Sequence, residues 1–249
     1  MIKWLEDAVF YEVYPQSFRD SNGDGIGDIP GITEKLEYIQ ELGCNALWIN
    51  PCFTSPFYDA GYDVEDYYSV APRYGTNEDL KKLFEAAHQR GMHVLLDLVP
   101  GHTAVTHPWF QESMKAEKNE YTDRYVWTDS LYKRMEDVKG IVSVLRGISP
   151  RPASCGVNCF STQPALNYGF ANITDAGWQQ PTDAPGPMAT REELKNIMRF
   201  WLTLGCDGFR VDMAGSLVKN DEDKKEMRTE EEFILGNLGY VREDAPYNE

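Results

Sequence analysis

A chain of 249 residues, 42% hydrophobic and 12% aromatic, can bury one large core or two small ones. Its formal net charge of -16 argues against a nucleic-acid partner, which clustered lysine and arginine would have to hold. No apolar run approaches the roughly 20 residues of a membrane-spanning helix, so no membrane partner is expected either.

The N-terminal stretch "MIKWLEDAVFYEVY" runs almost directly into a strand-like segment and carries no signal-peptide h-region. Five cysteines, an odd number in a long chain, fit reduced thiols and a cytoplasmic location better than a disulfide framework.

The next segment, "DSNGDGIGD", places oxygen-bearing side chains at alternate positions and glycines between them. Asp20, Asn22 and Asp24 match positions one, three and five of a D-x-[DN]-x-[DN]-G cation loop, with Gly25 at the sharp turn. Ile26 would offer its carbonyl, and Asp28 occupies the ninth position. The twelfth is Gly31, where a calcium-sensor loop needs a bidentate glutamate. The expected reading is a structural calcium site, against the plainer one of a solvated turn.

Three later segments share one grammar of helix, glycine stop and strand. In "ITEKLEYIQELGCNALWIN", Ile32, Leu36, Ile39 and Leu42 form a helical stripe that Gly43 ends before "ALWI". In "TNEDLKKLFEAAHQRGMHVLLDLV", Thr76 and Asp79 read as a capping box, and Leu80, Leu83, Phe84 and Ala87 as the buried stripe. In "TREELKNIMRFWLTLGCDGFRVD", Thr190 and Glu193 read as the cap, Leu194, Ile197, Met198 and Trp201 as the stripe, and Gly205 as the stop. The continuous apolar run of "HVLLDLV" predicts a strand covered on both faces, hence an α/β fold with parallel strands. In such folds, functional residues sit at the strand C-terminal ends, here Asn50, Asp97 with His102, and Arg210 with Asp212. The proline-rich, weakly periodic stretch between His102 and Thr190 reads as an irregular insertion able to wall a cleft.

"GFRVD" sets Arg210 and Asp212 two apart on a strand, on one face. A guanidinium beside a carboxylate favours its ionised form, which suits a nucleophile; a buried structural ion pair is the plainer alternative.

Taken in order, "AVFYEVYPQSF", the Asp20–Asp28 loop, "NPCFTSPFYDAGYDVEDYYSV", "DLVPGHT", "QPALNY" and "GFRVD" resemble the α-amylase family of retaining glycoside hydrolases. The resemblance is closer to its oligo-1,6-glucosidase and α-glucosidase branch. It implies a (β/α)8 TIM barrel with an irregular subdomain inserted after strand three. It implies that Asp212 is the nucleophile and that Arg210 holds it. His102 would bind glucose at the cleavage subsite, Tyr62 would stack on that sugar and Asp59 hydrogen-bond it, while Asp97 supports Arg210. Departures are Ala60 for the asparagine common after Asp59, Gly101 for the one before His102, and Ala165 for the branch's frequent aspartate. Gly215 and Ser216 stand in place of the Lys-His pair of α-amylases that act on long chains, which turns the expectation to short α-glucosides and oligosaccharide substrates.

A retaining glycosidase needs a second carboxyl group about 5 Å from the first. After Asp212 there is sequence for one strand–helix unit where four are needed. "FILGN" would place Asn237, an amide, at the end of a fifth strand, and Glu230 to Glu232 read as a solvated acidic run. The expected organisation is a half-barrel segment over 1–102, the insertion over 103–188, and helix three, strand four and a charged tail over 189–249. The expected function is a retaining hydrolase of α-glucosidic bonds that lacks its general acid in this chain. The rest of the barrel would be a missing C-terminal half. The alternatives are a catalytically dead carbohydrate-binding relative and a calcium-stabilised scaffold.

Overall fold

The computed structural model describes residues 3–135 and 137–221. After a short helix α1 (Lys3–Glu6), the chain enters strand β1 (Phe10–Val13) and helix α2 (Pro15–Phe18), then rounds the acidic loop. Helices α3 (Ile29–Glu34) and α4 (Leu36–Glu41) lead into β2 (Ala46–Ile49). A small hairpin, β3 (Phe53–Thr54) and β4 (Asp66–Val70), precedes α5 (Asn77–Gln89) and β5 (His93–Leu98). The insertion carries α6 (Pro108–Ser113) and the ribbon β6 (Ser143–Leu145) with β7 (Cys155–Val157); α7 (Pro185–Leu204), β8 (Gly208–Val211) and a 3-10 turn (Ala214–Ser216) follow.

β1, β2, β5 and β8 pair in parallel and in chain order, with α3–α4, α5 and α7 as crossovers. This is the first half of a (β/α)8 barrel. Among the described residues β1 pairs only with β2, and β8 only with β5, so both outer edges of this sheet are unpaired. All of β8 is half exposed, in keeping with an edge left unpaired among the described residues.

The core lies between the sheet and its helices. Ile32, Leu36 and Ile39, Leu80, Leu83, Phe84 and Ala87, and Leu194, Ile197, Met198 and Trp201 are all buried there against Val94 and Leu96. Trp201 stacks on Phe53 at 5.1 Å, and its indole N–H donates to the Tyr67 carbonyl at 2.8 Å. Asp207, just before β8, accepts from His88 Nε2 at 2.8 Å, His93 Nδ1 at 3.0 Å and the Val94 amide at 2.8 Å, tying β8 to β5. Among the described residues no helix is long and apolar enough to cross a membrane. All five cysteines are free thiols.

The capping box at Thr76 is present in both directions, Asp79 N donating to the Thr76 hydroxyl at 3.2 Å and Thr76 N to Asp79 at 3.1 Å. Thr76→Ala is therefore expected to cost about 1 kcal/mol, read as a lower denaturant midpoint at unchanged slope.

Two expectations are corrected. Thr190 and Glu193 are no cap, because α7 begins at Pro185, whose fixed φ and missing N–H suit a first turn. Thr190 lies buried inside the helix with its hydroxyl bonded to the Gly186 carbonyl at 3.1 Å, and Glu193 accepts from the Tyr68 hydroxyl at 2.8 Å. The helix thus starts inside the stretch assigned to the insertion. Leu42, the last member of its stripe, is 54% exposed. The helix is broken at Lys35 and ends at Glu41, so Leu42 stands beyond the last buried turn. Asn237 and Glu230 to Glu232 lie outside the described residues.

Candidate active site

Strand geometry gathers the site. Side chains two apart on β8 share a face, and the same face of the neighbouring strands carries Asp97 opposite Arg210 and Trp48 opposite Glu12. Arg210 Nη1 donates to Asp212 Oδ1 at 2.7 Å and to Asp97 Oδ1 and Oδ2 at 3.1 and 3.2 Å. Its guanidinium lies 4.8 Å from the Trp48 ring centroid.

The three charged groups differ in access. The Asp97 side chain is 0% exposed, Arg210 36% and Asp212 15%. Asp97 also accepts from Trp48 Nε1 at 3.0 Å and the Tyr62 hydroxyl at 3.1 Å. Burial pushes its pKa up to about 6, although Arg210 pulls the other way. Burial opposes the charge on Arg210, but Asp97 and Asp212 more than offset it. Asp97 is thus the buried anchor and Asp212 the more accessible of the two carboxylates. Its Oδ1 is held by Arg210, and among the described residues Oδ2 takes no hydrogen bond.

The loop between β3 and β4 supplies Asp59 and Tyr62. It wraps around Asp63, which is buried and accepts from Ser55 Oγ at 3.0 Å, Tyr58 N at 2.9 Å and Asp59 N at 3.0 Å. Ala60 adopts φ 53°, a left-handed conformation that asparagine tolerates better than alanine. Asp59 Oδ2 accepts from Gln163 Nε2 at 2.6 Å; burial raises its pKa, and the charges of Asp63 and Asp212 add to that. Tyr62 is half-buried, and its hydroxyl also accepts from Asn50 Nδ2 at 3.1 Å.

His102, expected to face a sugar, is 2% exposed. Its Nε2 bonds the Tyr62 carbonyl at 2.9 Å and its Nδ1 the Asn158 amide at 3.0 Å, so both ring nitrogens are taken by protein. Burial drops its pKa to about 4. In this arrangement it ties loops together.

Sequence reasoning missed Trp48, Asp63, Asn158 and Gln163. Trp48 had a signal, since it faces the same side as Glu12 on a strand whose other residues are buried. The other three sit in irregular loops where no periodicity points to them.

In the acidic loop, Asp20 Oδ1 accepts from Asn22 N at 3.1 Å and Gly23 N at 2.6 Å, and its Oδ2 from Gly25 N at 2.8 Å. The Gly25 and Gly23 amides hold its carboxyl below the ordinary range. Asn22 Oδ1 accepts from Asp24 N at 2.9 Å, and Asp24 Oδ1 from Ile26 N at 2.8 Å. Asp28 caps α3 through Gly31 N at 2.6 Å and accepts from Ser21 Oγ at 2.8 Å. Among the described residues no three His, Cys, Asp or Glu side chains form a metal-ligand group. The loop's oxygens are nonetheless of the hard kind that calcium takes, although Asp20 Oδ1 and Asp28 Oδ2 each already accept two hydrogen bonds.

The α-amylase catalytic-domain family matches residues 12–245. An oligo-1,6-glucosidase of Bacillus sp. (strain F5) is 38% identical over 219 residues, covering 88% of this chain and 40% of that protein. The trehalose synthase/amylase TreS of Mycolicibacterium smegmatis is 42% identical over 224 residues, covering 88% and 35%. Among solved structures, the α-glucosyl transfer enzyme XgtA superposes with a TM-score of 0.70 at 38% identity, covering 85% of this chain and 37% of that one. A mutant of MutB in complex with the substrate sucrose superposes with a TM-score of 0.71 at 37% identity, covering 86% and 36%. The chain therefore spans well under half the length of each of these relatives.

Proposed function

The chain belongs to the α-amylase catalytic-domain family, and we propose that it carries the nucleophile half of a retaining glycoside hydrolase site. The substrates are short α-glucans or oligosaccharides, bound through their α-glucosidic bonds. The observation that carries this reading is the single Arg210 nitrogen shared between buried Asp97 and the more accessible Asp212. It fixes one Asp212 oxygen and leaves the other without a hydrogen bond among the described residues, and attack on an anomeric carbon needs a carboxylate oxygen that is not already engaged. Asp59 and Tyr62 line the sugar's place, and His102 supports them from behind. Hydrolysis and glucosyl transfer share this first half-reaction and differ in what opens the glycosyl ester. Relatives of both kinds are similar to this chain.

In this reading the general acid belongs to barrel strands beyond β8, which the relatives have in the part of their length that this chain does not span. The 249-residue chain is then expected to hydrolyse none of maltose, isomaltose or an aryl α-glucoside that needs leaving-group protonation. Incubation with each, followed by sugar analysis, checks this. Turnover that Asp212→Asn abolishes would show an acid within this chain and overturn the proposed division of the site. A second reading is a catalytically dead carbohydrate binder, favoured by the closure of His102 by protein partners. It predicts sugar binding without turnover even when the whole barrel is present.

The acidic loop is proposed as a structural calcium site with Asp20, Asn22, Asp24, the Ile26 carbonyl and Asp28 as ligands. Calcium there would bridge the loop that precedes α3 and take no part in chemistry. A ligand that binds only the folded state stabilises it by mass action, so a chelator should lower the melting temperature of the wild type. Asp24→Ala should remove that response. Identical melting curves with and without chelator would overturn the site. Free thiols throughout accord with the proposed cytoplasmic location.

A further inference from the structure

Gly101 precedes the histidine that closes the third strand, and its backbone φ lies outside the left-handed region that favours glycine. Space explains the residue instead. A Cβ built on Gly101 would lie 2.6 Å from Asn158 Nδ2 and 3.4 Å from its Cγ. Asn158 follows β7 in the insertion and is buried. Its side-chain amide is bonded at both ends, to His102 Nδ1 at 3.0 Å and to Ser216 Oγ at 3.3 Å, so moving it aside breaks both bonds.

That amide has two partners. Nδ2 can only donate, so Nδ1 of His102, 3.0 Å away, must accept. Nε2 then carries the ring proton and donates it to the Tyr62 carbonyl at 2.9 Å. Asn158 Oδ1 accepts from Ser216 Oγ at 3.3 Å, in the segment that follows Asp212. The Tyr62 hydroxyl in turn donates to Asp97, which holds Arg210.

We propose that Asn158 is the positioning residue of this site. Its amide fixes His102 as the Nε2–H tautomer, His102 then pins the backbone of Tyr62, and position 101 is glycine because the amide occupies the place of a Cβ. A residue of the insertion thereby orients a loop of the barrel, and the walls of the cleft are joined behind it. Its bearing on sugar binding rests on the function proposed above, whereas the tautomer and the packing do not.

The chain has four histidines, so long-range ¹⁵N–¹H spectra resolve His102 once a His102→Gln variant marks its signals. The charged groups that face it are Asp63 and Lys219. In the wild type Nε2 is expected protonated, Nδ1 bare, and the ring neutral down to a pH of about 4. Asn158→Asp replaces the donor with an acceptor of the same shape. Nδ1 should then gain a proton and the ring should titrate higher, by roughly one unit or more. A wild-type ring protonated on Nδ1, or an Asn158→Asp ring with unchanged tautomer and titration, would overturn the proposal. Packing supplies a second test: Gly101→Ala should lower the melting temperature of the wild type but not that of Asn158→Ala. Equal losses in both backgrounds would contradict the shared space. If the spectra follow expectation while no sugar binds, the proposed function fails and the tautomer assignment stands.

Discussion

Where the remaining barrel strands are present, Asp212→Asn is expected to reduce turnover by several orders of magnitude while sugar binding survives. The asparagine keeps the shape and the Arg210 contact through its amide oxygen but loses the negative charge. An oxocarbenium-like transition state needs that charge, and a glycosyl ester needs a carboxylate to form it. Arg210→Lys should also be severe. One guanidinium nitrogen now spans two carboxylates over the Trp48 face, and a flexible ammonium lacks the planar group that keeps this register. Steady-state kinetics beside calorimetric binding separates the two effects. Near-normal turnover by Asp212→Asn would leave "GFRVD" as a structural ion pair.

Asp97→Ala is expected to lower stability by about 1–3 kcal/mol, the usual consequence of leaving buried donors without their acceptor. Arg210, Trp48 Nε1 and the Tyr62 hydroxyl would all lose the acceptor they share. Denaturant unfolding measures the loss, and a change under 1 kcal/mol would mean that water replaces the carboxylate. The pH dependence has a definite sign. Folding raises the Asp97 pKa to about 6, so the folded state holds this proton more tightly than the unfolded one. Its contribution is fully present below about 4, the unfolded value, and is lost as pH rises through about 6. Relative to Asp97→Asn, which cannot ionise, the wild type should therefore lose stability across this window. A flat difference would place Asp97 in a better solvated setting.

Much of this arrangement is legible in the chain because its signals are local. Thr76 and Asp79 lie three apart and cap each other, and Leu80 to Ala87 bury at helical spacing. Arg210 lies on β8 and Asp212 one residue past its end, its amide still bonded to the Leu98 carbonyl at 2.8 Å, so the strand's period of two carries over to the pair. Thr190 misled because Thr-x-x-Glu occurs inside a helix as well as at its start, and Pro185 was the stronger signal. Leu42 misled because its stripe assumes an unbroken helix, which Lys35 interrupts. Asn158 was invisible for a different reason. Gly101 showed that something was missing beside His102, but the compensating amide arrives from an irregular loop with no period to read.

The central claim is that Asp212 attacks the anomeric carbon, and a fluorinated α-glucosyl fluoride tests it most directly. Fluoride leaves without a proton, so the chain can react even where its general acid is absent. The Asp212 carboxylate would bond to C1 as the C–F bond breaks and fluoride departs. Ring fluorination would slow hydrolysis of the ester that results. Mass spectrometry of a digest should find the sugar on the peptide containing Asp212, and no adduct with Asp212→Asn. An adduct on another residue, or none on the wild type, would contradict the account.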